Sequence, residues 1–156
     1  MAVIGLSPQP FFGDKNRAFW HLQTLGWSGY LVLRVISGFS NGLPLSFVVP
    51  IVISTATGYS LTLVMAAAFR ALLKRKPVVT WSGSILTVLL ATLVYATIDA
   101  WVYNTIQRPG EEFALRLLFG TLFLDVMLLS GWSALYYGIN FYLIVEDQAD
   151  QLLKLE

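Results

Sequence analysis

Four apolar stretches, each longer than a small soluble core can hide, constrain this chain more than any motif does. They span residues 19–40, 43–73, 81–105 and 112–145. Each exceeds the roughly 20 residues with which a helix crosses a hydrocarbon core about 30 Å thick. None alternates polar with apolar residues, as the strands of a lipid-facing barrel must. In lipid every backbone N–H and C=O needs an internal partner, so helices are the structure left. Composition agrees. The chain is 56% hydrophobic and only 12% charged, with mean hydropathy +0.68. A soluble domain carries about a quarter charged residues.

The breaks between the stretches are short. "SNGLP" pairs Asn41-Gly42 with Pro44, a turn signal. "KRKP" at 74–77 is a basic stop. "QRPGEE" at 107–112 sets Pro109 near a helix start and predicts Glu111 and Glu112 in the first turn, where the helix dipole favours acids. Short connections make consecutive helices antiparallel neighbours. The expected fold is therefore all-α, an integral membrane four-helix up-and-down bundle. Lys15, Arg17, Arg70, Lys74, Arg75 and Lys76 fall on one side of it, which the positive-inside rule makes cytoplasmic for both termini. Residues 1–18 are then a cytoplasmic segment. Trp20, Trp27 and Trp81 are expected at that interface, Trp101 and Tyr103 at the opposite one.

The fourth helix is longer than the membrane requires. Unbroken from Glu112 to Glu156, it is a rod of roughly 65 Å at 1.5 Å per residue. Residues 146–156 would begin a cytoplasmic linker. There Tyr142, Val145, Ala149 and Leu152 follow a 3-4-3 spacing, the start of a dimer seam. The alternative is an amphipathic tail that pairs with nothing.

Other function classes lose ground on composition. A net charge of +1 gives no electrostatic footprint for nucleic acid. The chain has no Cys, which removes disulfides and thiolate metal sites. The N-terminus lacks the basic start and long apolar core of a cleavable signal peptide. No phosphate loop or nucleophile elbow occurs, and no Lys lies mid-span. No catalytic residue, metal ligand set or cofactor is therefore expected. His21, the single histidine, is expected as a hydrogen-bonding interfacial residue.

Ionisable groups inside apolar helices are expensive, about 2.5–3.5 kcal/mol each at a helix centre. Here they are Arg34, Asp99, Arg116 and Asp125. Helix direction puts all four in the half of the membrane opposite the basic loops, two of each sign. They form a candidate polar network, with Arg34 paired to Asp99 or Asp125. Such a network acts as a packing staple or as a sensing, proton-responsive pocket. Snorkelling to the interface is the third possibility, chiefly for Arg116 and Asp99. Gly131 and Gly138, seven apart, allow close approach of helices within the chain or between two copies.

"FWHLQTLGWSGY" at 19–30, "FRALLKRK" at 69–76 and "GWSALYYGINFY" at 131–142 resemble the N-terminal membrane region of bacterial LytS-type sensor histidine kinases. The resemblance covers nearly the whole chain. It implies a homodimeric membrane sensor in the bacterial inner membrane, whose fourth helix leads to a cytoplasmic kinase. The phosphoacceptor motif "NPHFLFN" of such kinases does not occur in this sequence, and His21 does not match it. ATP and Mg would belong to that kinase domain only, and the partner it implies is a cognate response regulator. Similar membrane regions also precede LytTR-type DNA-binding domains. A small four-helix transporter, with Asp125 as its mid-membrane carboxylate, and a structural subunit of a larger membrane complex are the remaining readings.

Overall fold

In the computed structural model, residues 15–155 are described, and all of their regular structure is helical. Helix α1 is Lys15–Ser40, α2 Val48–Leu72, α3 Pro77–Gln107 and α4 Leu115–Leu155. A single 3-10 turn, Leu45–Phe47, leads into α2. The prolines fall where a missing N–H costs nothing. Pro77 opens α3, and Pro50 lies in the first turn of α2. Gly42, at φ +72°, supplies the left-handed residue of the first turn.

Three helical segments are long and apolar enough to cross a membrane: Leu45–Leu72, Pro77–Gln107 and Leu115–Leu155. Helix α1 is not among them. It carries Arg17, His21, Gln23, Thr24 and Arg34 along 26 residues. The outer faces of the other helices are what lipid wants. Val64, Leu86, Phe119, Phe123 and Met127 are all more than half exposed. Contiguous apolar surface of that extent is foreign to a soluble monomer.

Packing follows chain order. Helix α2 packs on α3, α3 on α4, and α1 closes the set against α2 and α4. Side-chain bonds link each neighbouring pair. Gln23, Trp27 and Tyr30 of α1 meet Tyr59, Thr62 and Ser54 of α2. Thr80 meets Leu72 where α2 turns into α3, while Asp99 meets Ser54 at their far end. Ser84 bonds Tyr137, and Thr121 lies against Ala96, between α3 and α4.

An aromatic core fills the end nearer the basic loop. Phe69 of α2 is fully buried, with ring centroids 4.9 Å from Tyr137 and 5.6 Å from Tyr136. Trp132 stacks on Tyr136 at 5.4 Å. Between lipid-embedded helices the hydrophobic drive is weak, so such interlocking contacts supply the attraction.

Several boundaries differ from expectation for local reasons. Helix α4 starts at Leu115, and no acid lies in its first turn. Glu111 and Glu112 stay in the connection, where Glu111 pairs with Arg108 at 3.4 Å and its carbonyl accepts from Asn104. Helix α1 already includes residues 15–18, placed by sequence in a separate segment. Trp27, expected at an interface, is 4% exposed in the core. Gly131 and Gly138 make no close approach, since a Cβ on either meets nothing within 4 Å. The close approaches are at Gly38, beneath Phe47, at Gly58, beneath Trp27 and Tyr95, and at Gly83, beneath Leu72.

Candidate functional site: two polar clusters in an apolar bundle

Buried polar side chains form two clusters. The first is centred on Gln23, fully buried in α1. Its Oε1 accepts from Trp132 Nε1 of α4 at 2.9 Å and faces Thr62 Oγ of α2 at 3.1 Å. Its Nε2 donates to the Tyr59 carbonyl at 3.3 Å. Trp27 Nε1 in turn donates to Thr62 Oγ at 3.0 Å. Thr62 has one proton and three acceptors within reach: Gln23 Oε1 and the carbonyls of Gly58 and Tyr59. One amide therefore ties α1 to both α2 and α4. Partners of this kind are what make the burial of a polar side chain tolerable.

The second cluster is centred on Ser54 of α2. Ser54 Oγ lies 3.0 Å from Asp99 Oδ2, 3.1 Å from Tyr95 Oη and 3.4 Å from Tyr30 Oη. Tyr95 donates to the Ser54 carbonyl at 2.9 Å. One proton arrangement satisfies these groups together. Tyr30 donates to Ser54 Oγ, Ser54 donates to the Asp99 carboxylate, and Tyr95 donates to the backbone. The result is a directed relay from α1 through α2 to α3. Arg34 caps its outer end, with its guanidinium carbon 5.6 Å from the centroid of the Tyr30 ring.

Asp125 of α4 lies beside this relay. It is 5% exposed, and its Oδ2 has no hydrogen-bond partner. Thr92 of α3, 2% exposed, has an unpartnered hydroxyl as well. Thr121 against Ala96 fixes the register of α3 and α4. Stepping one turn along each helix brings Thr92 and Asp125 to the same level. Asp99, Asp125 and Arg34 lie within electrostatic reach of one another.

Of the four ionisable residues singled out by sequence, the fold brings Asp99, Asp125 and Arg34 into one neighbourhood. The expected ion pairs are not formed. No salt bridge within 4.0 Å joins Arg34 or Arg116 to either acid, and both arginines are exposed. Arg34 turns to a ring face instead, and Arg116 remains in the first turn of α4. Serine and tyrosine hydroxyls have taken the place assigned to guanidinium. His21 is half-buried in α1, between the rings of Phe19 and Trp20 and the Gln23 cluster in sequence. Among the described residues no group of three or more His, Asp or Glu side chains could hold a metal ion.

The four seam residues are all outward. Tyr142, Val145 and Leu152 are 56%, 47% and 66% exposed, and Ala149 is exposed too. The buried stripe of α4 runs through Asp125, Leu129, Trp132, Tyr136 and Leu143. At about 100° per residue the seam lies roughly 140° around the helix from that stripe.

Gln23, Ser54, Thr62 and Tyr95 carry most of the polar bonding without standing out in the sequence as ionisable groups do. The available signal is the four-residue step from Gln23 to Trp27, which puts an amide and an indole on one helix face.

Fold and site together define an all-helical protein with three helices able to cross a membrane and a hydroxyl–carboxylate core between them. No family model, curated protein or solved structure matches the chain.

Proposed function

We propose that the chain is a signal-input module, a four-helix up-and-down bundle in which α1 joins the three apolar helices in the membrane. Both termini are cytoplasmic, and α4 is the output. The observation that carries this reading is the continuity of α4. One helix of 41 residues holds Asp125 in the polar core and still runs to Leu155. Any stimulus that repacks the core around Asp125 rotates or tilts a rigid rod. A rod of that kind has no joint in which the motion could dissipate. Two packings of similar energy are required, and an unsatisfied buried carboxylate beside a relay of hydroxyls is a means of biasing them.

The resemblance to LytS-type membrane regions points to a histidine kinase as the effector and to a homodimer as the working form. The test is phosphorylation of the full-length gene product in membranes. Asp125→Asn removes the charge and keeps the shape. Autophosphorylation is expected to change several-fold, with protein level and helicity unaltered. Equal phosphorylation of the two forms would sink the assignment of Asp125 to signalling. Absence of any phosphohistidine in the native protein would remove the kinase and favour a LytTR-type output.

A second reading is supported by the unpartnered atoms of Asp125 and Thr92, which suit a carrier that loads a proton or small cation in mid-membrane. Flux across proteoliposomes, abolished by Asp125→Asn, is its signature.

A further inference from the structure

Between α3 and α4, toward the basic turn, a cleft of about 850 Å³ opens toward the surroundings. Its volume is within the range of small-molecule pockets, about 300–1,000 Å³. Small side chains on successive turns of α4, Ser130, Ala134 and Gly138, form its floor. Trp81 and Phe141, 72% and 69% exposed, form its rims. Along α3 it extends from Trp81 to Leu89. That is about 12 Å at 1.5 Å per residue, while along α4 the lining runs from Val126 to Ile144, about 27 Å on the same rise. The cleft is therefore longer than half of a hydrocarbon core about 30 Å thick.

Its two ends differ. At the inner end the lining is apolar, with Val126, Val88 and Leu89. At the outer end it is bounded by Leu73 and Thr80, the residues that flank the basic turn at 74–76. Thr80 Oγ holds that turn in place, donating to the Leu72 carbonyl at 2.6 Å with the Lys76 carbonyl at 3.2 Å. Lys74, Arg75 and Lys76 are all exposed there. Asn140 of α4 adds a polar group at the same mouth.

We propose that this cleft is a binding site for an anionic phospholipid. One acyl chain lies on the Ser130–Ala134–Gly138 floor, and the headgroup phosphate sits on the basic turn. Charge complementarity selects this occupant over a zwitterionic lipid, because basic pockets beside transmembrane helices hold anionic headgroups. The apolar length of the lining along α4 selects a lipid chain over a free phosphate. The inference rests on the helices lying in a bilayer and not on any signalling output. Its failure would leave the reading of α4 untouched.

The test uses the purified chain reconstituted in nanodiscs with equal phosphatidylglycerol and phosphatidylcholine. The protein is released into mild detergent, and retained phospholipids are counted by native mass spectrometry. Phosphatidylglycerol is expected to be retained over phosphatidylcholine by about tenfold, each basic residue near the surface adding to its hold. The triple variant Lys74→Gln, Arg75→Gln, Lys76→Gln lies outside the helices and is expected to lose that preference. Gly138→Leu is expected to lose both lipids, because the leucine occupies the floor. A Cβ at Gly138 meets no atom within 4 Å, so this variant should keep its helicity by circular dichroism. Equal retention of the two lipids, or undiminished retention in a folded Gly138→Leu, would overturn the proposal. So would cross-linking of Ala134→Cys between two copies, which would give the cleft to a second copy of the chain.

Discussion

At the scale of single residues, stability in this bundle depends on uncharged polar groups. Gln23→Leu leaves Trp132 Nε1 buried with no acceptor. The expected loss is about 1–3 kcal/mol, the cost of one unsatisfied buried donor, read from unfolding of the detergent-solubilised protein. Adding Trp132→Phe should return part of it, because the orphaned N–H disappears. Gly58→Ala drives a methyl into the Trp27 ring and toward the Tyr95 hydroxyl. Overpacking of this kind costs about 1–3 kcal/mol, and the melting temperature should fall accordingly. The residues legible in the sequence are the ones whose charge conflicts with an apolar run: Arg34, Asp99 and Asp125. Their mutual placement was only partly legible. Opposite signs suggest ion pairs, but a helical bundle full of Ser, Thr and Tyr offers acceptors and donors at lower desolvation cost. Gln23, Ser54 and Thr62 escape because a single uncharged polar residue in an apolar segment carries no visible penalty until its neighbours are known.

At the scale of helices, positions and lengths were largely legible, since apolar runs and Pro/Gly breaks leave few choices. The ends were not. Glu111 and Glu112 suit a helix start by charge, yet Gly110 at φ +87° and the Arg108 contact hold them in the connection. Helix α1 shows what periodicity cannot. Read by length it is a span like the others, but it buries Gln23 against α2 and α4 while Arg17, Thr24 and Arg34 stay exposed. Helix α4 shows the reverse, an apolar helix that continues past its own bundle. After Leu143 no residue of α4 is fully buried. Gln148→Pro should therefore unwind the projecting end, at about 3 kcal/mol for a proline in a helix interior. Circular dichroism should lose helicity while the fluorescence of Trp27 and Trp132 stays the same. A change in the indole signal would mean that the end is coupled to the core by more than helix continuity.

At the scale of the whole molecule, the outward direction of the seam is the feature with most bearing on assembly. Tyr142, Val145, Ala149 and Leu152 face away from the bundle, and nothing among the described residues covers them. The chain has no native cysteine, so single replacements report cleanly. Leu152→Cys is expected to form a disulfide dimer in oxidised membranes, and Leu143→Cys, 9% exposed, is not. Equal yields at both positions would remove the seam. The Gln23 cluster bears on a different matter, the order of events at the ribosome. Helix α1 is made first, but the Trp132 indole that completes its amide is 109 residues further on. At about 5–20 residues per second, α1 waits roughly 5–20 s for that partner. During the wait its amide and arginines must remain near water. Helix α1 can pack on α2 through Tyr59 and Thr62 early, but its Gln23 amide is completed only when α4 is in place.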